Sequence, residues 1–424
     1  MTAPAAGPSW LTVDDALAQV LDGALPRCAQ GCSLPDAHGR TLAADVQAVL
    51  ANPPDAVSAM DGYALRRADL KCATALDLIG EAAAGAPFEG VCGASQAVRI
   101  FTGAVIPAGA DHVVPQEDVL VDGTGQILPS DGARAGDFIR RAGADFARGS
   151  VLLKAGQRLN ARDVLVAATA GVASVQVRHR PRVGVLSTGD ELVTLGSTPG
   201  SGEIVSSSPL ALTAMLSAWG AAPIDLGIAR DTLADLTAKL EAAQDTDVLV
   251  TIGGASVGER DLAREALSAA GYDMQFWRIA MRPGKPLFLA KRGGQRVVGL
   301  PGNPVSALIC ARVFLMPLVS ALLGKPSWNA KDDEGTPTGL LNHYWPCQRG
   351  TVTTALEANG PRLHFMRARA ELNPANLVPA LTPFASQDSG RTHLLSQADG
   401  VIMRQPHAPA VPAGGSVDYH PFDF

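Results

Sequence analysis

Asp247-Val-Leu-Val-Thr-Ile-Gly-Gly-Ala-Ser-Val-Gly258 decides the fold. Asp247–Ile252 is a short, nearly continuous apolar run rich in β-branched residues, which reads as a strand buried on both faces. It breaks into glycines, and Glu259 and Asp261 then open a helix over Leu262–Ala270 that Gly271 stops. The same grammar repeats on either side. Val183–Leu186 reads as a strand, Leu210–Trp219 as a helix stopped at Gly220, Pro223–Ile228 as a strand and Leu233–Ala243 as a helix. Phe276–Ala280, Leu287–Ala290 and Val297–Leu300 follow as short strands, the last pair turned by Gly293-Gly294, and Val305–Leu323 closes the series as a long helix. Strands alternating with helices at this spacing predict an α/β domain of βαβ units. Such folds bind ligands beyond the carboxyl ends of their strands, which directs attention to the loops after Leu186, Ile252 and Leu300.

The flanking sequence has a different texture. Thr12–Leu25 predicts an amphipathic helix begun by Thr12 and Asp15. From Leu34 to Gln176, β-like runs such as Val98–Phe101, Val113–Pro115, Phe138–Arg140 and Val151–Leu153 alternate with turns, with one helix from Asn160 to Gly171. A Pro-containing linker from Lys325 leads to a last β region with runs at His364–Arg369 and His393–Leu395. Of 424 residues, 44 are Gly and 30 Pro without a collagen period, so turns are many. A net charge of −6 excludes a nucleic-acid polycation. No targeting segment is visible, and the apolar stretch Val313–Leu323 is too short to span a bilayer. Six cysteines without a C-x-x-C pair, and scattered histidines, predict thiols in a reducing compartment and no His/Cys metal site.

Three glycine-rich exits fall at one edge of the predicted sheet: Ser187-Thr188-Gly189-Asp190-Glu191, then Gly253-Gly254-Ala255-Ser256-Val257-Gly258, then Pro301-Gly302-Asn303-Pro304. Each precedes a helix or turn whose free N–H groups suit an anion. Between Met274 and Lys331 there is no Asp or Glu but nine Arg and Lys, leaving −15 for the rest of the chain. A solvated face accounts for Lys291, Arg292 and Arg296 at a hairpin turn. Arg282-Pro283-Gly284-Lys285-Pro286 instead holds two cations in a stiff loop, as a multiply anionic ligand requires. Asp61, Asp145, Glu191, Asp231 and Asp261 lie at turns, where capping is the ordinary role of an aspartate. With no histidine beside them, such carboxylates suit a hard cation such as Mg²⁺. A P-loop for ATP is absent from the sequence.

Ala59–Ala64 (AMDGYA), Phe101–Ala110 (FTGAVIPAGA), Arg140–Asp145 (RRAGAD), Gly184–Leu192 (GVLSTGDEL), Gly253–Gly258 (GGASVG), Met281–Pro286 (MRPGKP) and Leu300–Ala307 (LPGNPVSA) together resemble the MoeA-type molybdopterin molybdenumtransferases, the family of the gephyrin E domain. The resemblance covers some 250 residues in order, and the C-terminal 90 only loosely. It implies a multidomain α/β plus β protein. The segments are an N-terminal helix (1–26) on the α/β domain, a small mixed domain (27–47 and 148–178), an inserted β domain (48–147), the α/β pterin-binding domain (179–328) and a C-terminal β-barrel-like domain (329–424).

It further implies the last step of molybdenum cofactor synthesis: adenylylated molybdopterin plus molybdate gives cofactor plus AMP, with Mg²⁺, in a cytoplasmic homodimer whose cleft is shared between subunits. The adenylyltransferase of the preceding step and acceptor molybdoenzymes are the implied partners, with no nucleic acid and no membrane. The family's catalytic carboxylates fall on Asp61, Asp145, Glu191, Asp231 and Asp261, and its metal positions on Asp61, Asp145 and Glu191. Substrate positions fall on Thr102, Ser187, Thr188, Gly189, Asp190, Gly253, Gly254, Ser256, Gly258, Arg278, Arg282, Lys285, Pro301, Gly302, Asn303 and Pro304. Arg367 and Ser389 correspond to residues reaching in from the second subunit. Relatives often carry Asp and Asn where this chain has Ser206-Ser207-Ser208.

Two other readings compete. One is adenylylation of molybdopterin by ATP, which single-domain relatives of the α/β unit perform. Asp61, Thr102 and Asp145, on extra domains, argue against it. The other is a non-catalytic dimeric scaffold or pterin-binding protein.

Overall fold

The computed structural model describes residues 10–71, 75–130, 133, 136–254, 262–325, 339–374 and 377–424. It comprises two compact units: Gly31–Val177, and a larger one made of Met1–Gln30 with Arg178–Phe424.

In the smaller unit the AMDGYA segment becomes the strand Gly62–Leu65, paired antiparallel with both Gln96–Ile100 and His112–Pro115, while Asp77–Ala82 adds in parallel at the far side of Gln96–Ile100. Both faces are buried. Tyr63 and Leu65 join Leu76, Val114 and Ile127 in one core, and Ala64 joins Val98, Ile100 and Val113 in another. Gly62 is needed for this pairing, because a Cβ there would lie 2.0 Å from the Val114 carbonyl oxygen. A third core, around Leu34, Leu42, Val46, Leu159 and Val175, lies against the helix Ala161–Thr169. That helix opens with a full capping box between Asn160 and Asp163.

The larger unit holds a six-stranded sheet in the order Ala222–Ala229, Arg182–Thr188, Val248–Ile252, Gln295–Leu300, Pro286–Arg292, Asp273–Arg278. The first four strands are parallel, Pro286–Arg292 runs against them, and Asp273–Arg278, antiparallel to it, runs their way again. Strand order reverses between Arg182–Thr188 and Val248–Ile252, so a crevice opens beyond their carboxyl ends. The helix Val13–Leu21 lays Val13, Ala16, Leu17 and Val20 into the same core as Val183, Val250, Leu216 and Phe314.

The C-terminal region is a closed five-stranded barrel. Leu363–Leu372 pairs with Pro379–Pro383 on one side and Gly400–Arg404 on the other, and Gln348–Val352 and Ser416–Pro421 complete the ring. Among the described residues each of the five strands pairs with two others of the ring, and Met281–Arg282 adds a short parallel pairing at Leu363-His364.

Several expectations need correction. His393–Leu395 lies in the short helix Thr392–Ser396, not in a strand. Arg296 is buried rather than solvated, its guanidinium given to the carbonyls of Val20, Asp22 and Gly294. Arg312 is also buried and forks onto Asp423 at 2.7 and 2.8 Å. The last helix begins earlier than its apolar run, at Pro304, and runs to Leu322 through a π-helical segment at Ala311–Leu315. By length and composition it could cross a membrane, yet 89% of it is buried in the unit, as befits a core helix.

Candidate active site

At the carboxyl ends of the parallel strands lies a cavity of about 1060 Å³. Its wall contains Ser187, Thr188, Gly189 and Glu191 after the first strand, Asp231 after the second, Gly253 and Gly254 after the third, and Pro301, Gly302, Asn303 and Pro304 after the last parallel one. The three glycine-rich exits read from sequence therefore converge on one space.

Their geometry depends on missing side chains. Gly253 and Gly254 have φ of +93° and +64°, a left-handed pair that folds the loop back over Thr188. A Cβ on Gly253 would lie 2.5 Å from the Thr188 carbonyl oxygen, and one on Gly254 would lie 2.8 Å from Thr188 Oγ1. A Cβ on Gly302 would sit 3.6 Å from the Gly253 Cα, so the two loops touch. Thr188 is buried and its Oγ1 has no partner among the described residues. A buried hydroxyl facing a glycine cradle suits a polar ligand group, since leaving it unmatched costs free energy. Ser187 is satisfied by Ser206, with the two hydroxyls 2.9 Å apart.

Carboxylates crowd one rim. The Asp231 N–H donates to Asp190 Oδ1 at 3.1 Å, and Arg230 donates to the Asp190 carbonyl at 3.0 Å. Partial desolvation, then the neighbouring charges of Asp190 and Glu191, raise the Asp231 carboxyl above its usual range. At the opposite rim Asn303 Nδ2 donates to Ser389 Oγ at 3.0 Å, and the Ser389 carbonyl accepts from the Val305 N–H at 3.3 Å. Within this chain, Ser389 thus touches the loop that lines its own cavity. Arg367 is buried, and its guanidinium braces that neighbourhood through the carbonyls of Ser386, Asp388 and Arg391. A guanidinium so engaged holds the loop that carries Ser389. Arg278, Arg282 and Lys285 are exposed, and Arg278 lies opposite Pro286 of the cavity wall.

The smaller unit carries the other predicted positions. Asp61 Oδ1 accepts from both the N–H and the hydroxyl of Thr102, at 2.7 and 2.8 Å. These bonds, the backbone one first, hold the Asp61 carboxyl below its ordinary pKa. Asp145 and Asn52 clasp each other twice, Nδ2 to carboxylate at 3.0 Å and Asp145 N–H to the Asn52 carbonyl at 3.0 Å. Sequence reading missed Arg99, which packs over Tyr63 and Phe101 at 4.9 and 5.0 Å and donates to Gly62 and Gln116. The i, i+2 spacing of Arg99, on the strand, and Phe101, just past its end, was the available signal.

Ser256, Gly258 and Asp261 lie outside the described residues. Among the described residues no group of three His, Cys, Asp or Glu side chains is placed to hold a metal ion alone.

An α/β domain whose crossover crevice is walled by glycine-rich loops, a buried hydroxyl and a carboxylate rim has the form of a ligand-binding domain. The family model described as "Probable molybdopterin binding domain" matches residues 184–321, with "MoeA N-terminal region (domain I and II)" on 11–171 and "MoeA C-terminal region (domain IV)" on 349–422. A molybdopterin molybdenumtransferase of Haemophilus influenzae is 38% identical over 320 residues, 75% of this chain and 79% of the relative. Molybdopterin molybdenumtransferase 2 of Mycobacterium tuberculosis is 33% identical over 382 residues, 87% and 89% of the two chains. The crystal structure of the molybdopterin biosynthesis MoeA protein from Pyrococcus horikosii superposes with a TM-score of 0.83 at 27% identity, covering 98% of this chain and all of that one. The chain belongs to the MoeA family of molybdopterin molybdenumtransferases.

Proposed function

We propose that this protein transfers molybdenum from molybdate into adenylylated molybdopterin and releases AMP, as a cytoplasmic homodimer that requires Mg²⁺. The observation that carries the reading is the convergence of three glycine-rich loops and the unpartnered Thr188 hydroxyl on one cavity. Every substrate group to be held there, pterin phosphate, pyrophosphate bridge and molybdate, is an anion.

The chain's own residues divide the work. The Gly254 N–H and the Thr188 hydroxyl donate to a phosphate oxygen, while the Gly253 N–H is spent on the Leu300 carbonyl at 3.1 Å and holds the loop in place. Arg278, Arg282 and Lys285 balance the remaining negative charge and orient the oxyanion. Asp231, whose proton affinity is raised by its neighbours, accepts a proton from an attacking oxygen. Asp61, held ionised by Thr102, serves as a fixed negative charge.

The donor set fits Mg²⁺. Glu191 lies in the cavity wall with Asp190 beside it in the chain, and Mg²⁺ typically takes one or two carboxylates together with substrate phosphates and water, not an all-protein cage. When bound there it supplies neutralisation of phosphate charge. In the dimer, Asp61, Thr102 and Asp145 of one subunit complete the cavity of the other, and the product passes to acceptor molybdoenzymes.

The test is incubation of pure protein with adenylylated molybdopterin, molybdate and Mg²⁺. AMP release that depends on molybdate is the expected result. ATP consumption with free molybdopterin would replace this reading with adenylylation, and inertness in both assays would leave a scaffold.

A further inference from the structure

Three segments of the larger unit meet away from the carboxylate rim. Leu11 bridges Ile279 in parallel and accepts from the Ala280 N–H at 2.8 Å. Ala280 in turn accepts from the Leu363 N–H at 3.0 Å, and Arg282 lies opposite His364. This stitching places Trp10, 38% exposed, beside cations from two different segments. Lys285 Nζ lies 4.9 Å from the indole centroid and the Arg362 guanidinium 6.0 Å from it. The local field is strongly positive: burial, then Arg282, Arg362 and Arg404, push His364 down to about 4.

Some cations of this unit are neutralised by acids, as in Lys291–Asp22, Arg312–Asp423 and Arg349–Asp418, and the buried Arg296 and Arg367 are taken up by backbone carbonyls. Among the described residues no carboxylate forms an ion pair with Arg282, Lys285 or Arg362. The difference matters chemically. A carboxylate would orient a lysine and cancel its charge. An indole face orients it through the ring quadrupole and leaves the full charge for a ligand.

We propose that Trp10 is a positioning residue that holds Lys285 and Arg362 as uncompensated cations for a tetrahedral oxyanion, either a phosphate ester or a metal oxyanion such as molybdate. The proposal rests on the reading above insofar as Lys285 is taken to meet the anionic substrate.

The experiment is calorimetric titration of the full-length protein with molybdate and, separately, with AMP, for wild type, Trp10→Phe and Trp10→Leu. The expected result is that Trp10→Leu binds one probe about fivefold more weakly while Trp10→Phe, which keeps an aromatic face, stays within about twofold of wild type. Loss for molybdate alone assigns the cations to the metal oxyanion, and loss for AMP alone to the phosphate ester. Equal loss in both variants with a lowered melting temperature would mean a packing role and overturn the proposal. Unchanged binding in Trp10→Leu, or a wild type that binds neither probe, would overturn it too. AMP release by the wild type, measured in parallel, keeps the two readings apart. Loss of oxyanion binding in an enzyme without turnover retires the proposed reaction and retains the role of Trp10.

Discussion

Thr102 grips Asp61 with two donors on one oxygen, its N–H and its hydroxyl both ending on Oδ1. The pair spans two turns of the smaller unit, and it fixes both the direction and the ionisation of the carboxylate.

Removing one donor should move the acid limb of the pH profile. The Asp61 pKa is depressed, so its charge is present above the depressed value and is lost as pH falls through it. Thr102→Val deletes the hydroxyl donor and keeps the shape and the backbone bond. The acid limb of turnover should then shift upward toward the ordinary carboxylate range, without a change in the plateau above about pH 6. Asp61→Asn should lower the plateau itself by about tenfold or more. A profile identical in Thr102→Val and wild type would show that Asp61 is not the titrating group.

Asp231 predicts the opposite sign. Its pKa is raised, so its ionisation weighs against the folded state, and the stability it forgoes is lost as pH rises from the ordinary aspartate value through the raised one. Asp231→Asn should melt a few degrees higher than wild type at pH 7. The gap should close below about pH 4, where the aspartate is protonated in both folded and unfolded chains. Turnover should fall in the same variant. A melting temperature unchanged at both pH values would remove the carboxylate crowding inferred at the rim.

Much of this layout is legible in the sequence, for reasons that particular residues make clear. Strands that run apolar on both faces, and helices stopped at Gly220 and Gly271, announce themselves locally. The structure gives Ser208–Trp219, Leu233–Ala242 and Val248–Ile252 close to where the pattern places them. Long-range pairing is different. Nothing in local spacing joins Asp61 to Thr102, Asn303 to Ser389, or Trp10 to Lys285. Counting charges also misleads inside a core. Arg296 and Arg312 contribute to the positive run but are consumed by carbonyls and by Asp423. Arg367, carried over by resemblance, likewise gives its guanidinium to the carbonyls of Ser386, Asp388 and Arg391.

Gly253 offers a test of the cavity that leaves the rest of the protein intact. Alanine there meets a positive φ and the Thr188 carbonyl together. The backbone cost alone is about 1–2 kcal/mol, and relief by loop movement would spoil the cradle. Gly253→Ala should bind molybdopterin at least about tenfold more weakly, with a melting temperature lowered by only a few degrees. Gly293→Ala, at a hairpin turn whose Cβ would meet nothing, is the control for strain without a ligand. Undiminished pterin affinity in Gly253→Ala would separate these loops from the substrate.

The bidentate pair Arg312–Asp423 should govern stability. Arg312 sits in the π-helical segment of the core helix, fully buried against the Trp345 ring at 4.8 Å. Asp423→Ala strands that charge. The expected cost is about 2–3 kcal/mol by chemical denaturation, below the figure for a fully buried pair because the Asp423 side chain is 43% exposed. Arg312→Met with Asp423→Ala should recover part of it, since no charge is then left unpaired. A double variant no more stable than Asp423→Ala would mean that packing against Trp345, not the charge, carries the effect.

A cavity shared between subunits, as proposed above, would give a numerical signature. Asp61 belongs to the smaller unit, and Asp231 to the larger one. If each cavity draws Asp61 from one subunit and Asp231 from the other, Asp61→Asn and Asp231→Asn homodimers are each defective at both sites. Dissociated, mixed in equal amounts and reassembled, half of the dimers contain one subunit of each kind. In such a dimer one cavity collects both substitutions and the other collects none. The mixture should therefore recover about a quarter of wild-type turnover, from two parents that each have almost none. If both residues act within one subunit, no cavity in the mixed dimer is intact and nothing is recovered. Exchange must be verified independently, for example by differently tagged subunits co-purifying, so that silence in the assay is not mistaken for failure to mix. Verified exchange without recovery would mean that each chain builds its own site, and the role proposed for the dimer would fall with it.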